Sequence, residues 1–527
     1  MFVQLTENLF KPSDFIQCQK LILAVSGGSD SLALLFLVRD YLRKIPVAPK
    51  IVAVTIDHQL RRESAQEAED VAAICFAHQI QHVTVRWEEK KPKTNISQKA
   101  RIARYNLLYE EAEKQGAGVI MTGHTLNDQV ETYYMRSKRL QKKSVSSFPH
   151  HDGQMNQDGQ MSQKEGTKNS SERTAYDEKL KTLCREETLR GEETLYGEEE
   201  MLRGKEMLCE RGLACIPREA LLRGKVRLIR PLLCVERQTL RAYLNAQKLV
   251  WIDDPTNEDL KYERVRARHY LAHSQQKIVL FAKKIDDAAL QRREQAQKIA
   301  DLILALDITV NYGRCFIKRP EDSLYEQPEF SFIVGLFAVL MGGGSYLLPS
   351  QKLAMLGQKL CFPHPENLSH PEKGQPILEK RRFTLAGAVI EVTHRGIACW
   401  REARNMKEEV IAPGHNLLWD GRYWITNNGK EPVKVGPADI KSAKYCLNRG
   451  MQAGLIDLEH PHFPSLQSLI MLSHHKGVDI PELASSPYIW HEIIIKRAMA
   501  PFDWLLSHED IPIVRAIEPF FRIEEKR

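Results

Sequence analysis

In the first 137 residues, short apolar runs alternate with helix-period segments, and this rhythm constrains the fold more than any other feature of the 527-residue chain. Leu21–Val25 is an apolar run of buried-strand length, and Asp30–Arg43 has helical spacing. Ile51–Ile56 reads as a second strand, Ser64–Ala77 as a helix, His82–Trp87 as a third strand, Ser97–Gln115 as a helix and Val119–Thr122 as a fourth strand. Strands that alternate with helices predict an α/β class, a doubly wound parallel sheet covered on both faces. Ligands of such sheets lie beyond the carboxyl ends of the strands. The chemistry is therefore expected just after Val25, Ile56 and Thr122.

The segment after the first strand reads Ser26-Gly27-Gly28-Ser29-Asp30-Ser31. Two glycines let the backbone turn tightly against an anion. The serines add hydroxyls, and the helix that follows points its first N–H groups at the turn. Phosphate binding is expected of Ser26, Gly27, Gly28, Ser29, Asp30 and Ser31. The chain has neither GxxxxGK[ST] nor GxGxxG, so this is neither a Walker A loop nor a dinucleotide fingerprint. Asp30 would repel a bare phosphate, so it is read as a magnesium- or pyrophosphate-side residue. The plainer reading is a Gly-Gly turn with Ser and Asp capping the helix.

Asp57 and His58 follow the second strand, at a nucleotide-proximal position. Arg101, Arg104 and Tyr105 share one helical face, where two guanidiniums can hold phosphate. After the fourth strand, His124 precedes Asp128 and Glu131, which are three apart and so lie on one side of a helix. Taken singly, these residues also read as a capped helix start, a solvated basic face and a helix N-terminus decorated with acids.

The motifs resemble the PP-loop ATP pyrophosphatase superfamily, whose members cleave ATP between the α and β phosphates. The companions narrow the resemblance to the tRNA(Ile)-lysidine synthetase family. They are Ile56-Asp57-His58-Gln59-Leu60-Arg61, Ala103-Arg104-Tyr105, His124 with Asp128-Gln129 and Glu131-Thr132, and Arg230-Pro231-Leu232-Leu233. Trp251 with Asp254-Pro255-Thr256-Asn257, then Arg264 and Arg268, complete the order over residues 21–270. Thr125 stands where the family has a second histidine, Asn127 where it often has aspartate, and Val265 where it usually has asparagine. The family's glycine-rich GL.GM segment survives only as Arg211–Ile216.

The resemblance implies an enzyme that ligates lysine to C2 of the wobble cytidine in the CAU anticodon of isoleucine tRNA, through an adenylated cytidine. It implies ATP and Mg²⁺ as cofactors, with Asp30 on the metal. It implies Asp30, Asp128, Glu131 and His124 as catalytic residues, and Asp57, His58 and Arg104 beside the phosphate loop on the nucleotide. The partners are isoleucine tRNA and free lysine, with a homodimer allowed. Arg218, Arg223, Lys225, Arg227, Arg264, Arg266 and Arg268 are expected to offer basic surface to RNA. Two alternatives stand beside this. One is another PP-loop tRNA-modifying enzyme, although a thiolase is disfavoured because none of the ten cysteines lies in a CxxC pair. The other is a non-catalytic tRNA-binding homologue, for which Thr125, Asn127 and the long insertion speak.

The expected domains are a PP-loop catalytic domain over 1–139 and 211–250, and a low-complexity, disordered insertion over 140–210. A helical tRNA-contacting domain over 251–362 and a small α+β domain over 381–527 follow, with a linker at 363–380. Between Cys184 and Gly212 the insertion has nine acidic and five basic residues in units of six or seven, too short a period for a solenoid. Hydrophobic residues make up 43% and charged residues 27% of the chain, so wholesale disorder is excluded. The balance of 75 Lys+Arg against 68 Asp+Glu, +7, permits an anionic partner without demanding one. Phe330–Ser350 is uncharged but densely apolar only to Met341, after which it meets three glycines and a proline; it is read as a buried helix, with no membrane span. With no export signal and unpaired cysteines, a cytoplasmic location is expected.

Overall fold

The computed structural model describes residues 8–61, 63–145, 210–253, 258–360, 381–454, 456, 460–474, 477–484 and 492–521. Most of the expected insertion, the expected linker and the Asp254–Asn257 motif lie outside the described residues. Residues 8–138 and the described residues from 210 onward belong to one compact unit.

The N-terminal alternation folds as expected. Strand β1 (Lys20–Ala24) leads to helix α1 (Ser29–Leu42), β2 (Lys50–Asp57) to α2 (Ser64–Ala77), β3 (Gln81–Arg86) to α3 (Ile96–Gln115), and β4 (Val119–Thr122) to α4 (Leu126–Val145). Further along the chain come β5 (Glu219–Leu222), β6 (Val226–Ile229) and α5 (Arg237–Ala246). The sheet order is β5-β6-β4-β1-β2-β3, parallel from β6 to β3, with β5 antiparallel at one end. Successive side chains of β1 go to opposite faces, as a pleated strand requires. Leu21 and Leu23 join the core under α1, α2 and α5, and Ile22 joins the core under α3. The chain leaves β1 towards β2 on one side and returns to β4 on the other. The carboxyl ends of β1 and β4 therefore flank the crevice where ligands of such sheets bind.

That crevice is tightly built. Gly27 has φ +83°, which favours glycine, and a Cβ there would lie 2.8 Å from Cδ1 of Ile252. Gly123, after β4, lies so close to α1 that a Cβ would come 2.8 Å from the Asp30 carbonyl oxygen.

The later chain departs from the expected division. Helices α6 (Glu263–Ala272) and α7 (Gln275–Ala305) are followed by a hairpin, β7 (Ile308–Asn311) and β8 (Arg314–Lys318), inside the segment expected to be helical. Tyr312 (φ 51°) and Gly313 (φ 73°) form its turn, the mirror-image geometry that two-residue hairpins favour. Strand β8 pairs with β11 (Gly396–Arg401), which continues through β10 (Ala388–Thr393) to β9 (Arg381–Leu385). One five-stranded sheet thus draws on both sides of the expected boundary at 362/381. Helix α8 (Pro328–Gly342) packs on this sheet and is buried from Phe330 to Gly342. Its unbroken apolarity reflects burial on all sides, and no helix among the described residues is long and apolar enough to cross a membrane. Further on, two small antiparallel sheets form, one of four strands and one of three. A last strand, Leu505–Ser507, then returns to pair antiparallel with β5 at the edge of the first sheet.

Replacing Gly123 by alanine sets a methyl group against backbone that cannot swing away. Gly123→Ala is expected to cost about 1–3 kcal/mol and to weaken nucleotide binding, checked by thermal denaturation and ATP titration. Wild-type values for both would show that the loop does not rest on α1.

Candidate functional site

The turn Ser26–Gly28 is ordered by its own hydroxyls. Ser31 Oγ donates to the Gly28 carbonyl (2.9 Å) and accepts from the Ser26 backbone N–H (3.1 Å). Ile252 N–H donates to the Gly27 carbonyl (2.9 Å), so the chain after α5 lies along the loop. Gly28 caps α1 without a side chain, which leaves the helix N-terminus open to an anion.

Asp30, in the first turn of α1, and Asp128, in the first turn of α4, meet on one guanidinium. Arg237 Nε donates to Asp30 Oδ2 (2.8 Å), and Arg237 NH2 lies 3.6 Å from Asp128 Oδ1. Burial raises the Asp30 pKa above the ordinary carboxylate value; Arg237 opposes this and Asp128 adds to it. Sequence reading missed Arg237, whose only signal is its place at the start of α5, shortly after Arg230-Pro231-Leu232-Leu233. Asn127 accounts for its position: Asn127 Oδ1 accepts from the Arg237 backbone N–H (2.9 Å) and anchors the start of α5.

Asp128 is held from every side. Its Oδ2 accepts from the backbone N–H (2.8 Å) and hydroxyl (3.0 Å) of Thr125, and its Oδ1 accepts from Arg264 NH2 (2.6 Å). Thr125 is fully buried at the start of α4, where both its backbone N–H and its hydroxyl donate to Asp128. Glu131, 1% exposed, accepts from Arg264 Nε (2.7 Å) and Arg268 Nε (3.0 Å). Arg264 and Arg268, expected on RNA-facing surface, thus turn inward onto these acids. The other basic residues expected at the surface also have protein partners: Arg218 on Asp14, Arg223 on Asn106, Lys225 on Glu113, Arg227 on Glu219, and Arg266 on the Leu260 and Lys261 carbonyls. Val265 packs into the core of α6.

Asp57 turns into its own loop, where Oδ1 accepts from Gln59 N–H (2.9 Å) and Ser64 Oγ (2.7 Å). His58 sets its ring edge-on to Trp87 at 6.0 Å, and its Nδ1 is buried without a partner. Burial, then the nearby Arg104 charge, lowers the His58 pKa. His124 Nδ1 lies 2.9 Å from Thr122 Oγ1. Burial and then Arg104 and Arg230 hold its pKa well below the ordinary value, so it is neutral. Tyr105 is fully buried beneath Arg101 and Arg104, each 5.2 Å from its ring centre. Burial alone would raise its pKa, but Arg230, Arg104 and Arg101 outweigh that and bring it to about 7.

Of the residues expected at the site, Ser26–Ser31, Asp128, Glu131 and His124 gather between the ends of β1 and β4, with Arg104 reaching in from α3. Asp57 and His58 lie beside them at the end of β2. Among the described residues no three His, Cys, Asp or Glu side chains cluster as metal ligands.

With this geometry in place, comparison with known proteins is informative. Residues 2–161 and 196–275 match a PP-loop domain family model; the stretch between the two matched parts falls within the low-complexity segment. The chain is 57% identical over its full length to the full-length tRNA(Ile)-lysidine synthase of Bartonella tribocorum, and 54% identical to that of Bartonella henselae, again with both chains covered completely. The tRNA(Ile)-lysidine synthase of Brucella suis is 30% identical, over 97% of this chain and 96% of its own.

Two outcomes follow from the site's geometry. Thr125→Val keeps the backbone N–H on Asp128 and loses the hydroxyl. It should slow turnover by about tenfold, in line with a lost hydrogen bond to a charged group, while Thr125→Ser stays near wild type; an unaffected Thr125→Val rate would separate Thr125 from Asp128. A tyrosinate absorbing near 295 nm should appear with a midpoint at about 7 and vanish in Tyr105→Phe. Because folding favours the ionised form, the stability it adds is complete above the ordinary value of 10.0 and is lost as pH falls through about 7.

Proposed function

The chain belongs to the tRNA(Ile)-lysidine synthase family, and from that premise we propose that it joins lysine to C2 of the wobble cytidine in the CAU anticodon of isoleucine tRNA, converting ATP to AMP and pyrophosphate. The observation that carries the reading is the meeting of Asp30 and Asp128 on Arg237 at the mouth of the Ser26–Ser31 turn.

In the first step the C2 oxygen of cytidine attacks the α-phosphorus, a new P–O bond forms, and the bond to the departing pyrophosphate breaks. Such a step needs positioning and charge neutralisation more than covalent help. Ser26–Ser31 hold the phosphates through the turn and the open N-terminus of α1. His58 and Arg104 line the nucleotide side, where the partnerless Nδ1 of His58 and Nε of Arg104 await hydrogen bonds, while Asp57 shapes the loop that carries His58.

Magnesium suits Asp30 with Asp128, because the ion takes one or two carboxylates and completes its shell with phosphate oxygens and water. Bound there, it would neutralise charge on the pyrophosphate.

In the second step the ε-amine of lysine attacks C2 and AMP leaves with the former C2 oxygen. At neutral pH only about one lysine amine in a thousand is unprotonated, so the site must take up a proton or desolvate the ammonium. Asp128 receives the ammonium in exchange for a guanidinium, and the proton that the amine gives up as the C2–N bond forms leaves on the phosphate of the departing AMP. Glu131 keeps Arg264 and Arg268 in place, and neutral His124 serves as a hydrogen-bonding group.

Protein incubated with ATP, labelled lysine and CAU-anticodon isoleucine tRNA should put lysine into the RNA, and Asp30→Ala should reduce this to background. Absence of incorporation by the wild type, together with no tRNA-dependent ATP–pyrophosphate exchange, would favour a non-catalytic tRNA-binding homologue.

A further inference from the structure

Residues 210–216, the remnant of the glycine-rich segment, are held from two sides. On the catalytic side, Gln129 of α4 makes a reciprocal pair with Ile216. Gln129 Nε2 donates to the Ile216 carbonyl (2.9 Å), and the Ile216 N–H donates to Gln129 Oε1 (2.9 Å). About two turns further along α4, Arg136 NH1 donates to the Gly212 carbonyl. Cys215 is buried against Val130 and Tyr133 of the same helix. On the other side, Arg211 NH2 donates to Asp510 Oδ1, near the end of the chain. Arg292 of α7 holds the second oxygen of that carboxylate, NH2 to Oδ2 at 2.7 Å.

The segment does not rest in an easy conformation. Cys215 has φ 54° and ψ −121°, a backbone shape that glycine adopts readily and that a residue with a side chain keeps only where its surroundings impose it. The surroundings here are the bonds to α4. Gln129 satisfies both main-chain groups of Ile216, and such groups are costly to leave without partners. The segment and the start of α4 therefore hold one another. The outer anchor is equally firm: Asp510 is 4% exposed between two guanidiniums, and removing one partner of such a pair strands a charge. Gln129 is the neighbour of Asp128, so the chain of bonds Asp510–Arg211–Ile216–Gln129 ends in the first turn of α4, beside a carboxylate of the site. A reacting group displaced by about 1 Å can cost about a hundredfold in rate.

We infer that Asp510 is a positioning residue of the ligation: through Arg211 it holds residues 210–216 against α4, and through Gln129 that segment fixes the turn that carries Asp128. This rests on the ligase reading above and adds to it a residue far from the phosphate turn. The two arms of the clamp do different work. Arg211 belongs to the segment and passes the restraint on, whereas Arg292 anchors the carboxylate to α7.

The test measures lysine transfer to the CAU-anticodon isoleucine tRNA by full-length protein, with Tm recorded for every variant. Asp510→Asn and Arg211→Met should each lower kcat by about ten- to a hundredfold. The KM for ATP should stay near wild type, because the Ser26–Ser31 turn has no bond to the segment. Arg292→Met breaks the same clamp but leaves the Arg211–Asp510 bond, so it should lower Tm and keep a kcat near wild type. Gln129→Leu should reproduce the loss in kcat. Combined with Arg211→Met it should be no slower than the slower single variant, whereas sites that act independently multiply their effects. If Asp510→Asn fails to fold, Arg211→Met and Gln129→Leu carry the comparison. Wild-type kcat in Arg211→Met, a loss in Arg292→Met as large as in Arg211→Met, or multiplying effects in the double variant would each overturn the proposal. A wild type that attaches no lysine at all would instead refute the ligase reading.

Discussion

Two carboxylates brought together from the first turns of different helices repel one another, and a buried pair cannot stay ionised without compensating charge. The site depends on how that charge is supplied. Arg237 stands between Asp30 and Asp128, Arg264 joins Asp128 to Glu131, and Arg268 closes the far side of Glu131. The guanidiniums hold the acids in position while the substrates are away. On the proposed reading, a metal ion or an ammonium would then enter by exchange, cation for cation, without first burying bare negative charge. Asp128 shows why exchange is needed: Thr125 and Arg264 already occupy both of its oxygens. It is therefore better suited to hold a cation than to act as a free base.

Two departures from the family pattern become intelligible on this footing. Thr125 gives Asp128 both a backbone N–H and a hydroxyl, so the residue in place of a histidine fixes the carboxylate by capping. Asn127, in place of aspartate, spends its carbonyl oxygen on the backbone of Arg237. A carboxylate could accept that hydrogen bond equally well, but it would add negative charge beside Asp30 and Asp128. The amide supports the arginine without competing for it.

The parallel sheet and the phosphate turn were legible in the sequence because both depend on local pattern. Leu21–Val25 alternates between two cores, and the glycine–serine turn needs only a strand before it and a helix after it. That Asp128 and Glu131 share one side of a helix was legible from their spacing, whereas their assignment to the site came from the resemblance. Arg237, Arg264 and Arg268 were not legible as partners of these acids, since their pairing spans more than a hundred residues and a charged side chain shows no period that says which way it turns. The hairpin at Tyr312-Gly313 escaped because Tyr is an unusual residue for a positive φ. The five-stranded sheet escaped because β8 and β11 are far apart in the chain.

The far end of the chain is also tied to the catalytic sheet. Leu505–Ser507 pairs with β5, Trp504 sets its ring edge-on to Tyr105 at 6.0 Å, and Trp504 Nε1 donates to Asn106 (3.2 Å). Asp510 is clamped between Arg211, beside the vestigial glycine-rich segment, and Arg292 of α7. Burial would raise its pKa, but both arginines, aided by close hydrogen bonds, outweigh that and hold it below the ordinary value. Buried pairs of this kind add little net stability, but losing one partner strands a charge; their effect is to specify a single arrangement. Tyr105 thus meets both the arginine cluster and Trp504. The packing of Leu505–Ser507 on β5 therefore bears directly on the surroundings of Tyr105.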